Sequence, residues 1–519
     1  MISYFSPLHS PWSPSNITAI ALALSAFLII VKIVYRLAYS PLRFIPGPWY
    51  AAVSDFWLLT HVVRLRQCFV VDKLFEQYGP VVRIGPNKVA FCDQQTMRSV
   101  YCVHKFDKSS LYKAFLTNDN DHAMTTLRHS AHATRKRGYS PHYMPSNLAL
   151  FQPEIQDSTL ELIRMLGENG GRTKLDCLVL FRHLLVDIIS AVSFEYHVGA
   201  LGKYALGVEE PLTTAINDFP KRGVLRGAVP SWAWSVLCRI PIHRWQQICD
   251  SDKIMAGFVS SRVYGISGQI KAGIMDESHR PPLAHRLLNH NIDAFATADY
   301  RNIISECMGH LIAGVDTSSN TLSYLFWELS RRPDILKKLQ HELDEVMTEG
   351  NTIPDITTLQ SLPYLAAFLK EGLRRYGAAP SLLERVVPRP KVAGDAGFDL
   401  LGFSLPAGVV VATQAWSMHR DPTVFADPDA FEPNRWLINE PDVLARMHAH
   451  MIPFGVGSRV CGGQNLAQLV LRIVVASIVR NFDIVAPGET TEKSMEICDA
   501  FVIFPASMRC NVWFKPREY

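Results

Sequence analysis

The pattern of apolar and polar residues separates an N-terminal apolar run from a long mixed body. Residues 17–35 form the run, which is nearly uninterrupted, and roughly 19 such residues can span a bilayer. Lys32, Arg36 and Arg43 lie at or after its end, and no Lys or Arg precedes it. The positive-inside rule therefore predicts a transmembrane anchor over 17–35, a short luminal N-terminus over 1–16 and a cytosolic body.

A cleaved signal peptide is the alternative reading of this run. A signal peptide carries a basic stretch before its apolar core and small residues at a cleavage site after it. The run has neither of these features. The sequence therefore favours a retained anchor.

Prolines follow the apolar run. Pro41, Pro46 and Pro48 lie within residues 36–48. Proline cannot continue a helix and stiffens a connector, so this segment is predicted to be a hinge. Beyond it, residues 49–519 contain no internal repeat, low-complexity linker or long charge run. They are predicted to form one large domain.

Short strands and long helices alternate within this domain. Apolar residues at 81–84 and 88–91 flank a Gly-Pro-Asn turn, a pattern typical of two paired strands. Helical spacing and further short apolar runs follow, with helices predicted over 160–166, 300–331 and 335–347 and strands near 386–387, 403 and 409–413. The predicted fold class is mainly α with a minor β part.

Composition excludes several classes of function. The net charge of +4, from 52 basic and 48 acidic residues, is too small to indicate nucleic-acid binding. The ten cysteines include no C-x-x-C pair, so neither a zinc ribbon nor a disulfide framework is indicated. This cysteine usage fits a reducing compartment.

One cysteine stands in an unusual frame. Cys461 is flanked by glycines, follows Arg459 by two positions and precedes an apolar run with helical spacing. Backbone N–H groups, positive charge and a helix N-terminus stabilise a thiolate, and glycines let the backbone wrap closely around sulfur. The frame suits a thiolate that ligates a metal. The alternative for a single cysteine is an inert buried thiol.

The same run matches a haem-ligand signature, Phe-x-x-Gly-x-Arg-x-Cys-x-Gly-x-x-x-Ala, at every fixed position. The matched residues are Phe454, Gly457, Arg459, Cys461, Gly463 and Ala467. The chain therefore resembles the cytochrome P450 family, here behind an N-terminal transmembrane helix. The resemblance implies the cytochrome P450 fold, haem b as cofactor, Cys461 as the axial ligand of the haem iron, and Phe454 and Gly455 as cofactor contacts.

A second motif lies midway along the predicted helix 300–331. Its residues 313–318 read Ala-Gly-Val-Asp-Thr-Ser, and glycine and hydroxyl residues are costly inside a buried helix. A helix kink with solvated polar groups is one explanation. The family resemblance implies another, in which Gly314 opens the helix for dioxygen, Thr317 hydrogen-bonds the oxygen, and Asp316 helps to deliver protons.

A charge triad is implied by the resemblance. Glu371 and Arg374 share a helix face at i and i+3, and Glu371 precedes Cys461 by 90 positions (461 − 371), as in the family. Arg435 stands at the position of the family's third partner. The resemblance implies a buried ion-pair network that supports the cysteine loop.

Cationic partners for the two haem propionates are also implied. Arg459 and Arg385 match the family's positions. Where the family has Trp-x-x-x-Arg, this chain has His132 and Lys136, both of which can donate to a carboxylate. A basic helix face that receives an acidic reductase is the alternative interpretation of the segment around Lys136.

The resemblance implies a monooxygenase of the endoplasmic reticulum membrane. Its implied partners are NADPH–cytochrome P450 reductase as the source of NADPH electrons, cytochrome b5, membrane lipid and a lipophilic small molecule such as a fungal terpenoid, polyketide or alkaloid, with no nucleic acid. Two alternatives stay open: a haem-thiolate isomerase or dehydratase that needs no reductase, and a non-enzymatic haem-binding protein. The presence of Asp316 and Thr317 favours the monooxygenase.

Substrate-lining segments can be placed only by position. They are predicted near residues 110–120, along the helix before Gly314, and at 378–383 and 500–503. Three tryptophans within 224–245, namely Trp232, Trp234 and Trp245, indicate either a membrane-dipping access region or ordinary core packing.

Overall fold

The computed structural model describes residues 14–274, 280–294, 299–347, 352–389 and 397–518. The described chain is mainly helical with a minor strand part, as the sequence pattern predicts. The α-helices are α1 Pro14–Val34, α2 Trp49–Val53, α3 Phe56–Val63, α4 Gln67–Tyr78, α5 Gln94–Arg98, α6 His129–Tyr139, α7 Pro145–Leu148, α8 Gln152–Asn169, α9 Cys177–Phe194, α10 Ala200–Ala205, α11 Pro211–Ala228, α12 Ser231–Leu237, α13 His243–Lys271, α14 Leu283–Ala294, α15 Tyr300–Arg331, α16 Pro333–Val346, α17 Ile356–Ser361, α18 Pro363–Tyr376, α19 Ala415–Met418, α20 Pro441–His450 and α21 Gln464–Asn481.

The strands form four small sheets. They are β1 Val81–Gly85, β2 Lys88–Phe91, β3 Asp107–Lys108, β4 Leu175–Asp176, β5 Arg385–Val386, β6 Phe398–Leu400, β7 Phe403–Leu405, β8 Val410–Ala412, β9 Phe482–Val485, β10 Ile497–Ala500, β11 Val502–Pro505 and β12 Asn511–Pro516. The largest sheet has the order β1-β2-β8-β5-β3, and the others are β4-β12-β9, β6-β7 and β10-β11. The predicted hairpin is confirmed, because β1 and β2 pair antiparallel across the Gly-Pro-Asn turn.

Helix α15 has the bounds that the sequence pattern predicts. It begins where the Asp299 carboxylate accepts from the N–H groups of Arg301 and Asn302, which are among the backbone donors left free at a helix start. It ends at Arg331, shortly before Pro333 opens α16. Residues between these bounds are mostly buried, so α15 is the central helix of the domain.

Helix α9 packs along α15 at Gly314. A Cβ atom at Gly314 would lie 2.9 Å from Cδ1 of Ile189, so the absent side chain permits this close approach. Helix α9 is long and apolar enough to cross a membrane, but 94% of its apolar window is buried. It is therefore a core helix.

The N-terminal apolar segment runs as a helix from Pro14 to Tyr39, the last turn being a π-helix. Its mean hydropathy is 2.6 and none of its apolar window is buried. A helix of this kind is compatible with a single-pass anchor. Most of the predicted luminal N-terminus, residues 1–13, lies outside the described residues.

The hinge is fastened to the body by Arg83, which the sequence pattern did not single out. This buried side chain on β1 donates to the carbonyls of Arg36 at 3.2 Å, Leu42 at 3.4 Å and Pro86 at 2.9 Å. Three carbonyl partners satisfy the donors of a buried guanidinium. The hinge is therefore held to β1 rather than being a free linker.

The three tryptophans near α12 divide between the two interpretations. Trp232 is 74% exposed, whereas Trp234 is buried and its ring lies 6.0 Å from that of Trp245. Trp245 also donates its indole N–H to the carbonyl of Leu237 at 2.8 Å. Two of the tryptophans are packing residues, and only Trp232 presents its ring to the surroundings.

Candidate active site

A single cavity brings together both sequence motifs. Part of its lining comes from α15, and another part comes from the cysteine loop with the start of α21. The lining residues include Gly314 and Thr317 on α15, Phe454, Gly455, Arg459 and Cys461 on the loop, and Lys108, His132 and Arg385 at one end. The remaining walls are largely apolar, with Leu185, Ile189, Leu383, Leu466, Val470 and Phe501 among them.

The cysteine loop is shaped by close backbone approaches. The Cys461 N–H donates to the carbonyl of Phe454 at 2.9 Å. Gly457 has φ 74°, and a Cβ atom there would lie 2.3 Å from the carbonyl oxygen of Tyr101. A Cβ at Gly462 would lie 2.5 Å from the Tyr139 ring. Glycine is therefore required at both positions for the loop to hold Cys461 at the cavity wall.

The Cys461 thiol faces the cavity but is surrounded by protein. Burial raises its pKa, against the opposing effects of the backbone N–H groups of Gly463 and Gln464 and the charge of Lys136. The N–H donors expected from the sequence are therefore in place, but the cation that acts on the thiol is Lys136 rather than Arg459. Together they do not by themselves ionise the thiol. A bound metal ion supplies the further stabilisation that a thiolate needs.

The loop rests on the Glu371 network, in which every member is buried or nearly so. The Glu371 carboxylate accepts from Arg374 at 2.9 and 2.8 Å, from Arg435 at 3.1 Å and from the indole of Trp436 at 2.9 Å. Burial would raise the pKa of Glu371, but the hydrogen bonds and charge of Arg374, together with Arg435, bring it below its usual value. The carboxylate is thus ionised and satisfied.

His419 joins this network to the cysteine loop. Its Nδ1 donates to the carbonyl of Arg374 at 3.0 Å, and its Nε2 accepts from the backbone N–H of Ile452 at 2.8 Å. Arg374 in turn donates to the carbonyl of His419 at 2.9 Å. Because Ile452 lies two residues before Phe454, the imidazole connects the ion pair directly to the loop.

The two residues of the α15 motif face different directions. Thr317 lines the cavity and donates its hydroxyl to the carbonyl of Ala313 at 2.6 Å. Asp316 does not line the cavity; it lies 3.8 Å from Arg182 on α9 and accepts a weak 3.4 Å contact from Asn320. Burial raises the pKa of Asp316, with the charges of Arg182 and Lys221 opposing the rise.

Four basic side chains, Lys108, His132, Arg385 and Arg459, converge on one end of the cavity and are called the cation cluster below. Arg459 donates to the carbonyls of Thr126 at 2.7 Å and Leu127 at 2.6 Å, and its Nε is buried without a partner in the described structure. The Lys108 ammonium donates to the carbonyl of Met124 at 2.7 Å. Among the described residues, no carboxylate lies within ion-pair distance of Lys108, Arg385 or Arg459.

Burial and the neighbouring positive charges lower the pKa values within the cation cluster. Burial, with the charges of Arg385 and Arg459, lowers the pKa of Lys108 well below its usual value. Burial and Arg385 lower the pKa of Arg459 to about 10. Burial, Arg459 and Lys108 lower the pKa of His132 to about 3. A negatively charged group bound among these side chains would therefore stabilise the cluster.

Sequence reasoning placed Lys136 in this cluster and missed Lys108. Lys136 is not among the residues that line the cavity, and its ammonium donates to the carbonyl of Ser458 at 3.1 Å. Lys108 lies on the short strand β3, which pairs with β5 so that Lys108 stands opposite Arg385. This long-range pairing places Lys108 beside Arg385 in the cavity lining. Nothing in the local sequence indicates that position.

Comparison with known proteins gives a consistent result. The sequence profile described as Cytochrome P450 matches residues 48–510. Cytochrome P450 monooxygenase stcB of Emericella nidulans is 26% identical over 493 residues, which cover 92% of this chain and 89% of that protein. N-acetyltryptophan 6-hydroxylase ivoC of Emericella nidulans is 27% identical over 489 residues, or 90% and 92% of the two chains.

A third relative is also named as a hydroxylase, with tryprostatin B in its name. Tryprostatin B 6-hydroxylase of Neosartorya fischeri is 26% identical over 486 residues, which cover 90% of this chain and 81% of that protein. The profile match spans most of the chain, and these relatives are named as monooxygenases or hydroxylases. The chain belongs to the cytochrome P450 family, and it is a haem-dependent monooxygenase.

Proposed function

We propose that this protein is a membrane-anchored monooxygenase that oxidises a lipophilic fungal secondary metabolite with NADPH electrons delivered by a separate reductase. The observation that carries the proposal is the cavity itself, which is lined by Cys461, by Thr317 and by the cation cluster. Residues 49–519 contribute the catalytic domain, residues 36–48 the hinge, and residues 17–35 the anchor in the endoplasmic reticulum membrane.

The cavity fits haem b. The largely apolar walls between α15 and the cysteine loop suit a flat apolar macrocycle, and the unpaired Nε of Arg459 lies among cations that lack carboxylate partners. Two propionates would supply the missing negative charge, held by Arg459, Arg385, Lys108 and the N–H group of the neutral His132 ring. Cys461 would bind the haem iron through its sulfur, and Phe454 and Gly455 would contact the cofactor beside it.

Bound haem supplies the activation of dioxygen, and the chain supplies the surroundings in which that chemistry takes place. The N–H groups around Cys461 orient the sulfur. The Thr317 hydroxyl, which donates to the Ala313 carbonyl, can rotate to donate to a group in the cavity while its oxygen accepts from water. Thr317 is therefore the proposed proton donor on the side opposite Cys461.

Asp316 acts at a distance in this proposal. Consecutive residues on a helix point about 100° apart, and Asp316, unlike Thr317, is not among the residues that line the cavity. The Asp316 carboxylate lies between Arg182 on α9 and the charge of Lys221 on α11. We propose that it holds a proton on the far side of α15 and supplies it to the cavity through water.

The reductase dependence is tested by oxygen uptake. The full-length, haem-loaded protein is reconstituted with a fungal NADPH–cytochrome P450 reductase in vesicles, and oxygen uptake is recorded after NADPH is added. Uptake above that of the reductase alone is expected, and a fungal host should accumulate a metabolite heavier by one oxygen atom when the chain is expressed. Turnover of an organic hydroperoxide without reductase, in the absence of NADPH-dependent uptake, would instead support the isomerase or dehydratase.

A further inference from the structure

The loop between β3 and α6 holds His122 against α15. His122 is 6% exposed and lines the same cavity as Thr317. Its Nε2 lies 3.1 Å from the carbonyl oxygen of Phe115. Since a carbonyl can only accept, Nε2 carries the hydrogen, and Nδ1 of the neutral ring is an acceptor.

The second ring nitrogen remains available. No hydrogen-bond partner of Nδ1 is found among the described residues. Both ring nitrogens of His142 are fully buried without a partner, whereas Nδ1 of His122 is not fully buried. It faces α15 at Gly309, where a Cβ atom would lie 2.5 Å from it. Gly309 also lines the cavity, so the missing side chain both makes room for the ring and leaves Nδ1 open to the cavity.

The position of His122 is fixed by contacts between its loop and α15. The Thr117 hydroxyl contacts Ser305 at 2.7 Å, the Asn120 amide donates to Asn302 at 2.9 Å, and the Ala123 N–H donates to Glu306 at 3.1 Å. These contacts hold the loop on both sides of His122. The acceptor is therefore preorganised and does not depend on a loop movement.

The charges around His122 are already compensated. Glu306 also lines the cavity, and its carboxylate accepts from Arg135 at 3.2 Å and lies 3.4 Å from His310. His310 in turn contacts the Tyr143 hydroxyl at 3.0 Å. Burial lowers the pKa of His122 to about 4, with Glu306 opposing and Lys108 adding to the fall. The imidazole is therefore neutral near pH 7, and Glu306 offers no free charge to a cationic ligand.

We propose that His122 is a specificity-determining residue, whose Nδ1 accepts a hydrogen bond from a hydroxyl or N–H group of an otherwise apolar substrate. This inference rests on the proposed function of the cavity as a substrate site. Gly309 and Thr317 are about 12 Å apart along the helix axis, from eight residues at 1.5 Å each. A substrate anchored at His122 therefore extends over several rings to present a carbon near Thr317.

The test uses a matched pair of probes, 4-hydroxybiphenyl and 4-methoxybiphenyl, which differ in a single hydrogen-bond donor. Equilibrium dialysis against the full-length, haem-loaded protein measures both dissociation constants. The phenol is expected to bind roughly fivefold more tightly, in proportion to one net hydrogen bond. His122→Phe should reduce this ratio to about one, because it keeps a ring but removes the acceptor.

Two further variants separate recognition from packing. His122→Asn places an amide oxygen near the position of Nδ1 and should keep the preference for the phenol, whereas His122→Gln reaches only the position of Nε2 and should lose it. His183→Phe is the matched control, since His183 is similarly buried but lies outside the cavity lining. If His122→Phe does not fold, Gly309→Ala gives the same readout, because a methyl group 2.5 Å from Nδ1 is too close for contact and would displace the imidazole.

Equal affinities for the two probes in the wild type, including no measurable binding of either, would overturn the proposal. So would a preference that persists in His122→Phe. Dialysis needs no electron delivery, so this result is independent of NADPH-dependent oxygen uptake. A failed dialysis test with intact oxygen uptake removes the role of His122 alone, and the reverse outcome removes the monooxygenase proposal alone.

Discussion

The Glu371 network and the cation cluster are both buried groups of charges beside the cysteine loop, but they differ in how completely they are paired. In the first, the carboxylate takes hydrogen bonds from two guanidiniums and an indole, and the Arg374 donors that remain go to backbone carbonyls. In the second, cations face one another and one Arg459 donor has no partner in the described structure.

This difference separates support from binding. A buried charge network that satisfies itself needs no ligand and stabilises the fold only while every partner is present. A buried cluster of one sign is unfavourable by itself and gains stability when an anion arrives. Substitutions in the Glu371 network should therefore destabilise the haem-free protein, whereas removal of a charge from the cation cluster should stabilise it.

The largest effect is expected in the Glu371 network. Glu371→Ala leaves the buried Arg374 and Arg435 without their carboxylate, and should lower the free energy of unfolding by roughly 3–5 kcal/mol and prevent haem incorporation. Urea denaturation and the haem-to-protein absorbance ratio measure the two effects. Glu489→Ala is the matched control, since its ion pair with Lys174 is half exposed, and it should leave both quantities nearly unchanged. Normal haem content in Glu371→Ala would contradict the assigned role.

The cation cluster should respond in the opposite direction. Lys108→Met removes a repelling charge, so the haem-free protein should become more stable by about 1–2 kcal/mol. The haem-loaded protein should instead release haem to excess apomyoglobin roughly tenfold faster, because one charge-assisted hydrogen bond is lost.

Lys136→Met is the control for Lys108. Its ammonium bonds to the Ser458 carbonyl outside the cavity lining, so Lys136→Met loses only a charge near Cys461 and should release haem more slowly than Lys108→Met. Faster haem release from Lys136→Met than from Lys108→Met would restore the sequence-based assignment of the propionate partners and remove Lys108 from the cluster.

A smaller, pH-dependent effect is expected at His419. Burial lowers its pKa to about 3, with the charges of Arg420 and Arg374 adding to the fall. Between that value and the usual 6.5, the unfolded chain holds one more proton than the folded chain. The free energy of unfolding should therefore fall as pH falls, by up to about 1.4 kcal/mol per pH unit.

Denaturation at pH 7, 6 and 5 measures this slope. His419→Gln removes the titrating group and should flatten the slope, at the cost of some stability at pH 7 because the contacts to Arg374 and Ile452 are disturbed. His341→Gln alters an exposed histidine and should leave the slope unchanged. Parallel slopes for the wild type and His419→Gln would show that His419 does not couple acid to stability.

The elements with local signals could be predicted from the sequence. The apolar spacing of residues 300–331 and the capping Asp299 determine α15 within its own sequence, and the Gly-Pro-Asn turn determines the β1–β2 hairpin. The cysteine motif is likewise local. In each case the residues that decide the structure lie next to the element that they form.

Features that depend on distant partners could not be predicted in this way. Lys108 enters the cavity because β3 pairs with β5, far along the chain. His122 is positioned by contacts of its loop with Asn302, Ser305 and Glu306 on α15, which no local pattern shows.

Helix geometry alone does not determine the direction of Asp316, because the adjacent residues Thr317 and Ser318 both line the cavity. Its partner Arg182 comes from packing between α9 and α15.

The central claim is that Cys461 ligates haem iron through its sulfur. The most direct measurement is the absorption spectrum of the reduced carbon-monoxide complex of the full-length protein, compared with that of Cys461→Ser and of the control Cys498→Ser, which alters a half-buried cysteine outside the cavity lining. The account predicts the red-shifted Soret band of a thiolate haem in the wild type and in Cys498→Ser, and its loss in Cys461→Ser. Persistence of that band in Cys461→Ser would contradict the account.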